Sequence, residues 1–270
     1  MTPASGVISL TTDFGLNDSY VGTMKGVILR IFPEARLVDI THQIAPQDIL
    51  EASLIIGSAY RYFPLGTVHL VVVDPGVGGD RRPVLLAGRE HYFVGPDNGT
   101  FTRMLEADPD LVAYEIREER FLLPGMSDTF HGRDLFAPAA AFLARGIDPA
   151  EFGPIAAGLQ LLSVPEPRIW GDQIRGEVIH IDSFGNIVSN ITREQFESAV
   201  GGRPFRIWIN GKAIDRVHRT YAEQDRGKML ALFGSSDLLE IAVSQGRAER
   251  RIGAGKGDTL LVQIGESAPA

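Results

Sequence analysis

The stretch TVHLVVVDPGVGGDRR, residues 67–82, decides how the chain is read. Val68–Val73 is a short, almost wholly apolar run rich in β-branched residues, which predicts a strand buried on both faces. It ends abruptly on the carboxylate of Asp74. In the DPGVGG that follows, Pro75 fixes one turn, Gly76, Gly78 and Gly79 permit backbone angles that other residues avoid, and the guanidinium groups of Arg81 and Arg82 come next. In open α/β sheets, ligands sit at the carboxyl edge of the strands. A tight turn whose Asp merely accepts backbone N–H groups is the alternative, so the neighbouring segments carry weight.

Towards the amino terminus, a strand over Val7–Thr11 leads into Thr12-Asp13-Phe14-Gly15 and so delivers a second carboxylate. Asp18 or Ser19 is placed to cap a helix whose apolar residues Val21, Met24, Val27, Ile28 and Ile31 keep helical spacing until Pro33. Leu37–Ile40 reads as a strand followed by Thr41-His42, and Asp48 opens a helix reaching Tyr62. Strands alternating with helices imply right-handed crossovers and a parallel sheet, with Asp13, Asp39 and Asp74 along one edge. Asp39 has the weakest functional case of the three.

Towards the carboxyl terminus, Val84–Ala87 and Tyr92–Val94 suggest a hairpin and Gly95-Pro96-Asp97-Asn98-Gly99 a turn, before a helix from about Thr100 and a strand near Leu111–Ile116. Thr129-Phe130-His131-Gly132-Arg133-Asp134 then runs into the alanine-rich helix Ala139–Ala144. His131 precedes that helix's start, where its ring can face a ligand and the helix dipole disfavours protonation. Around Leu162 the character changes: Ser163-Val164-Pro165-Glu166-Pro167 reads as a linker, and the alternation of strands with helices stops. Ile174–Ile181 and Ile187–Asn190 flank the turn Asp182-Ser183-Phe184-Gly185-Asn186. Further strands are expected at Phe205–Ile209, Met229–Phe233, Leu238–Val243 and Thr259–Ile264, with one helix near Arg193–Ala199. The last hundred or so residues thus read as a small antiparallel β domain, barrel or sandwich.

The chain has 270 residues, 44% hydrophobic and 22% charged, the composition of an ordinary globular protein with room for one large or two ordinary domains. A net charge of −8 without a basic run argues against nucleic acid or an anionic membrane as partner. The absence of cysteine excludes disulfides, thiolate nucleophiles and cysteine-ligated metal. The opening MTPASGVISL lacks the pattern of a signal peptide and no apolar run approaches the roughly 20 residues of a spanning helix, so a cytoplasmic location is expected. Asp13-Phe14-Gly15 is not a kinase motif, because no glycine-rich loop or strand lysine accompanies it. Gly76–Gly79 is neither a dinucleotide nor a Walker fingerprint, since a strand follows instead of a helix. The six histidines lack zinc spacing and no GxSxG occurs, so no metal and no acyl-enzyme are expected.

The blocks TTDFGLNDSYVGTMKGVI, VDITHQIAPQDI, FPLGTVHLVVVDPGVGGDRRP, YFVGPDNGTF, FHGRDLFAPAAA, IDSFGNIVSNI and LLEIAVSQG follow one another across nearly the whole chain. Together they closely resemble the S-adenosyl-L-methionine hydroxide adenosyltransferase family, relatives of the fluorinases and chlorinases. The resemblance implies fold class α/β: an amino-terminal three-layer domain with a mostly parallel sheet, residues 1–163, a linker 164–171, and an antiparallel β-barrel domain, 172–270. It also implies a homotrimer whose sites lie between one subunit's amino-terminal domain and its neighbour's carboxy-terminal domain. The reaction implied is S-adenosylmethionine plus water giving adenosine and methionine, with S-adenosylmethionine as substrate and no cofactor.

The family's Asp–Arg–His triad maps onto Asp74, Arg81 and His131. Bulk water, with a pKa of about 15.7, is a poor nucleophile, so the site must hold it in line and favour its deprotonation. Arg81 can stabilise developing hydroxide, Asp74 can fix the Arg fork and accept a bond from water, and His131 can act as base or orienter. Arg82 reads as a surface or structural neighbour, because Pro83 after it begins the return strand. Asp13 matches the carboxylate that accepts both ribose hydroxyls, while Asp182 and Asn186 match positions holding the methionine end and the ribose or amino group. Phe184 and Tyr221 can sandwich the adenine, and Ser235, Glu240 and the backbone at Val243 line the far end. Where the fluorinases carry a Tyr this chain has Asp74, where they carry a Tyr–Ser pair it has His131-Gly132, and where they carry a Trp it has Gln47. A carboxylate repels a halide, which favours water. The alternatives are a halogenase and a sensor that binds S-adenosylmethionine or adenosine without turnover.

Overall fold

A computed structural model describes residues 2–265 of the chain, which divides after Ser163 into two compact units. The first is a six-stranded sheet in the order β2-β1-β3-β5-β4-β6, formed by β1 (Val7–Thr12), β2 (Arg36–Thr41), β3 (Val68–Val72), β4 (Pro83–Ala87), β5 (Tyr92–Pro96) and β6 (Val112–Glu115). β2, β1, β3 and β5 run parallel, and β4 runs antiparallel to both of its neighbours. The period of two along β3 sends side chains to opposite faces. Val68, Leu70 and Val72 join the core beneath α1 (Tyr20–Ile31) and α4 (Ala137–Ala144); Val71 and the following Val73 join a second core beneath α2 (Ile49–Ala59) and α3 (Thr102–Ala107). Both faces are therefore covered, which is why the run is apolar throughout.

Two local expectations change and a third holds. Asp39 lies inside β2, opposite Leu10, so it does not join Asp13 and Asp74 beyond the strand ends. Its carboxylate pairs with Lys25 Nζ at 2.6 Å and faces His42 Nε2 at 3.0 Å. Ser19 sits at the N-cap of α1, but no side chain closes that cap. Asp48 does cap α2, accepting from the Glu51 N–H at 2.8 Å.

The entry to α4 is a π-helical turn, Gly132–Phe136, continuous with the α-helix. Pro138 has no N–H to offer the Asp134 carbonyl. That carbonyl instead accepts from the Leu123 N–H at 2.9 Å, and Ala137 reaches back five residues to the Gly132 carbonyl. The turn widens at this point.

The second unit is a nine-stranded sheet ordered β11-β10-β15-β8-β9-β14-β13-β12, with β7 also paired to β8. Its strands are β7 (Arg168–Trp170), β8 (Gln173–Ile181), β9 (Ile187–Thr192), β10 (Phe205–Ile209), β11 (Lys212–Ile214), β12 (Val217–His218), β13 (Met229–Phe233), β14 (Leu238–Val243) and β15 (Thr259–Ile264). It curls around a main apolar core that also takes Phe196 and Val200 of α5 (Arg193–Val200) and Ala248 and Ile252 of α6 (Ala248–Ile252). β12 pairs parallel to β13, so the sheet is not wholly antiparallel, and β7 occupies residues that read as linker. Among the described residues no helix is long and apolar enough to cross a membrane.

Candidate functional site

Thr12 and Val72 are the last paired residues of β1 and β3, so Asp13 and Asp74 emerge side by side at the carboxyl edge of neighbouring parallel strands. The glycine turn then reverses the chain and brings Arg81 back onto Asp74. Arg81 Nε donates to both carboxylate oxygens at 3.0 Å and Nη2 donates to Oδ2 at 2.6 Å. The two side chains are 8% and 6% exposed, a buried pair with a fork-to-carboxylate geometry. Its third member comes from fifty residues away: Arg81 Nη2 also donates to His131 Nδ1 at 2.6 Å. The Phe136 ring lies 5.2 Å from the Arg81 guanidinium carbon and closes the apolar side.

Two backbone features hold these parts in place. Gly78 has φ +75°, and a Cβ there would stand 2.4 Å from the Asp128 carbonyl oxygen, so the glycine turn seats directly on the loop that leads to His131. Asn98 Nδ2 donates to the Val73 carbonyl at 2.9 Å and pins the strand end just before Asp74. Arg82 turns the other way, to Asp97 Oδ2 at 2.9 and 2.5 Å and to the Ala157 carbonyl at 2.9 Å, the structural part expected of it.

The hydrogen bonds fix the state of the histidine. Arginine has donors only, so Nδ1 of His131 must accept, and the single ring proton sits on Nε2. Burial and the adjacent Arg81 charge push the His131 ring below its ordinary range, against Asp74, Asp128 and Asp134, which push it up. The helix start proposed from sequence is thus not the main cause. A neutral His131 protonated at Nε2 can donate from that atom and has no free nitrogen left to act as a base.

Asp13 accepts from the Gln47 N–H at 2.8 Å through Oδ2. Gln47 holds φ +67°, a left-handed backbone that non-glycine residues adopt at a cost, and that turn is what aims its N–H at the carboxylate.

In the second unit, Asp182 organises its own turn. Oδ1 accepts from the N–H groups of Phe184 and Asn186 at 2.9 and 2.8 Å, and Oδ2 accepts from Asn186 Nδ2 at 2.9 Å. Gly185 holds φ +83°, a left-handed backbone in which any other side chain would be strained. Phe184 at the tip is 75% exposed. Tyr221 donates to Glu240 Oε2 at 3.1 Å. Burial and the Glu240 charge push the Tyr221 hydroxyl up to about 12, and burial together with the Asp182 charge pushes the Glu240 carboxyl up, so these three groups share one electrostatic neighbourhood. Gly234 leaves room for the Glu240 carboxylate, and Ser235 follows it on the exposed hairpin turn. Val243 stands apart: three residues beyond Glu240, it faces the core, and its carbonyl accepts from the Gly246 N–H at 3.0 Å.

Sequence reading had overlooked Phe136 and His42 as parts of these arrangements. The only signal for either was its position: one turn into the helix after His131, or directly after a strand. Among the described residues, no group of three or more His, Asp or Glu side chains is placed to hold a metal ion.

Comparison with known proteins agrees across both units. Residues 8–153 match the SAM hydroxide adenosyltransferase N-terminal domain, and residues 176–261 match the C-terminal domain of the same family. The chain is 40% identical to an (R)-S-adenosyl-L-methionine hydrolase of Thermus thermophilus over 253 residues, 91% of this chain and 95% of that protein. A fluorinase of Actinoplanes is 29% identical over 73% of this chain and 76% of its own length. A crystal structure of a conserved protein from Thermotoga maritima superimposes with a TM-score of 0.89 at 34% identity, covering 95% of this chain and 99% of that one.

Proposed function

The chain belongs to the SAM hydroxide adenosyltransferase family, and we propose that it hydrolyses S-adenosyl-L-methionine to adenosine and L-methionine. The (R) sulfonium epimer, which names the Thermus relative's substrate, is the epimer proposed here. The carrying observation is the single guanidinium nitrogen, Arg81 Nη2, bonded at once to Asp74 Oδ2 and His131 Nδ1 in a buried corner at the strand ends.

Water attacks the 5′ carbon of the ribose in line with the carbon–sulfur bond. As the C–O bond forms, the C–S bond breaks and its electron pair stays on sulfur, giving the methionine thioether. The sulfonium needs no acid. The nucleophile does need help, and each member of the set has one part. His131 Nε2–H donates to the water oxygen and orients it, Arg81 stabilises its developing negative charge, and Asp74 is the acceptor for the departing proton, later released to solvent. Of the two roles open to His131 from sequence, the hydrogen bonding supports the orienter. Positioning a water against a bound electrophile can by itself contribute several kcal/mol.

Asp13, with one oxygen fixed by Gln47, is the proposed acceptor of the ribose hydroxyls. The Asp182–Asn186 turn receives the methionine end, Phe184 and Tyr221 flank the adenine, and Ser235, Glu240 and the Val243 backbone bound the far side. The reaction as written uses no cofactor. We further propose a homotrimer in which the second domain of a neighbouring subunit completes each site. Mixing Asp74→Ala with Asp182→Ala chains should then restore part of the activity that each lacks, and a mixture as inactive as its components would exclude sharing.

A fluorinase relative makes halide the rival nucleophile. The Asp74 carboxylate beside the attacking position disfavours an anion and accepts a proton from water. Single turnover in oxygen-18 water with saturating chloride is expected to give adenosine labelled once, at the 5′ hydroxyl, with unlabelled methionine. Chlorodeoxyadenosine, or adenosine without label, would overturn the reading.

A further inference from the structure

The turn that carries Asp13 is gripped by a histidine to which the proposed chemistry gives no part. His42 follows β2 directly and is 3% exposed. Its Nδ1 pairs with Thr12 Oγ1 at 2.8 Å, and its carbonyl accepts from the Gly15 N–H at 2.7 Å. Thr12 Oγ1 also accepts from the Phe14 N–H at 3.3 Å. The Asp39 carboxylate, which can only accept and lies 3.0 Å from Nε2, favours the ring proton of a neutral His42 on that atom, which leaves Nδ1 to accept from the Thr12 hydroxyl. Lys25 Nζ holds the other Asp39 oxygen at 2.6 Å. Residues 12, 14 and 15 are thus each tied, directly or through Thr12, to one imidazole and its own backbone. Only Asp13 projects free of these ties, towards Gln47.

We propose that His42 is a positioning residue for Asp13: by holding Thr12 and Gly15 on either side, it fixes the direction in which the Asp13 carboxylate meets the ribose hydroxyls. This rests on Asp13 being the ribose acceptor. Two hydroxyls must be met at once by the two faces of one carboxylate, so a turn that swings by a fraction of an ångström loses one of the bonds. Losing one such bond is worth up to about tenfold in affinity.

The test is calorimetric titration of full-length protein with adenosine and with 2′-deoxyadenosine. Wild type should prefer adenosine, and Asp13→Asn should lose that preference. His42→Ala should shrink it by about tenfold, while His42→Asn, whose side-chain oxygen can accept the Thr12 proton, retains most of it. Thr12→Val removes the same bond with little change of shape and should follow His42→Ala, which covers the case where His42→Ala folds poorly. If Asp13→Asn keeps the preference, the ribose reading and this inference both fall. If Asp13→Asn loses it but His42→Ala and Thr12→Val keep it, merely melting at lower temperature, the ribose reading stands and the positioning role of His42 is wrong.

Discussion

Replacing Asp74, Arg81 or His131 by Ala is expected to cut single-turnover rates by about a hundredfold or more, the range usual for positioned acid–base and charge-stabilising groups, while adenosine still binds. The three effects should not add, because one Arg81 nitrogen serves both partners and removing any member disorganises the rest. Arg81→Ala also leaves a buried Asp74 carboxylate unpaired, so its stability must be measured alongside. Arg81→Lys is the cleaner variant: it keeps the charge, but a single ammonium cannot reproduce the fork on Asp74 together with the bond to His131. It should be nearly as slow as the alanine variant. The pH profile follows from the same geometry. His131 must stay unprotonated at Nδ1 to accept from Arg81, and its ring is held below the ordinary histidine range. Activity should therefore persist as pH falls through 6.5 and be lost only at lower pH, when the folded-state ring takes up a proton. Normal turnover in the triad variants, or an acid limb above 6.5, would sink the assignment.

Phe136→Ala should be the most destabilising single change near the site. The ring is fully buried beneath the sheet and Arg81, and emptying such a position costs about 3–5 kcal/mol. Phe136→Leu fills most of the volume, so its cost should stay near 1.5 kcal/mol or less. Yet it removes the aromatic face on which the guanidinium rests, and a rate loss of about tenfold is expected, worth roughly the 1.4 kcal/mol of a cation–π contact in a dry setting. Urea denaturation and single-turnover kinetics on the same two proteins separate the effects. A Leu variant that is both stable and fully active would show that Arg81 does not depend on the ring.

How far the sequence reaches is clear from particular residues. β3 was legible because a strand covered on both faces must be apolar along its length, and Asp74 stood out because a charge cannot end such a run without a use or a partner. Asp48 was legible as a cap because capping is local chemistry. Asp39 was misplaced because a carboxylate near the end of a strand was read as lying beyond it, although it stands inside Leu37–Ile40 and only the pairing with β1 shows that it is opposite Leu10. The bond from Arg81 to His131 joins residues fifty apart, and no spacing rule encodes it. The resemblance to a family supplied that pairing, whereas the tautomer it dictates came only from the geometry. In the second unit, the Asp182 turn was readable from its Asp, Gly and Asn, but the meeting of Tyr221 with Glu240 depends on how β13 and β14 curl.

The wide turn over Gly132–Phe136 makes the chain sensitive to its length rather than its composition at this point. A π turn accommodates one residue more than an α turn, and each residue of an α-helix advances about 100° around the axis. Deleting any one residue between 132 and 136 would let the helix wind regularly, with no side chain of the triad altered. The residues before the deletion would keep nearly their angular place, because a π turn absorbs its extra residue within itself, but the side chains inside the turn would be re-spaced against the core and Arg81. Substitutions here can be graded by size and polarity, but insertions and deletions cannot. Any drift in length among descendants of this chain should be confined to the loops before Phe130 and after Ala144.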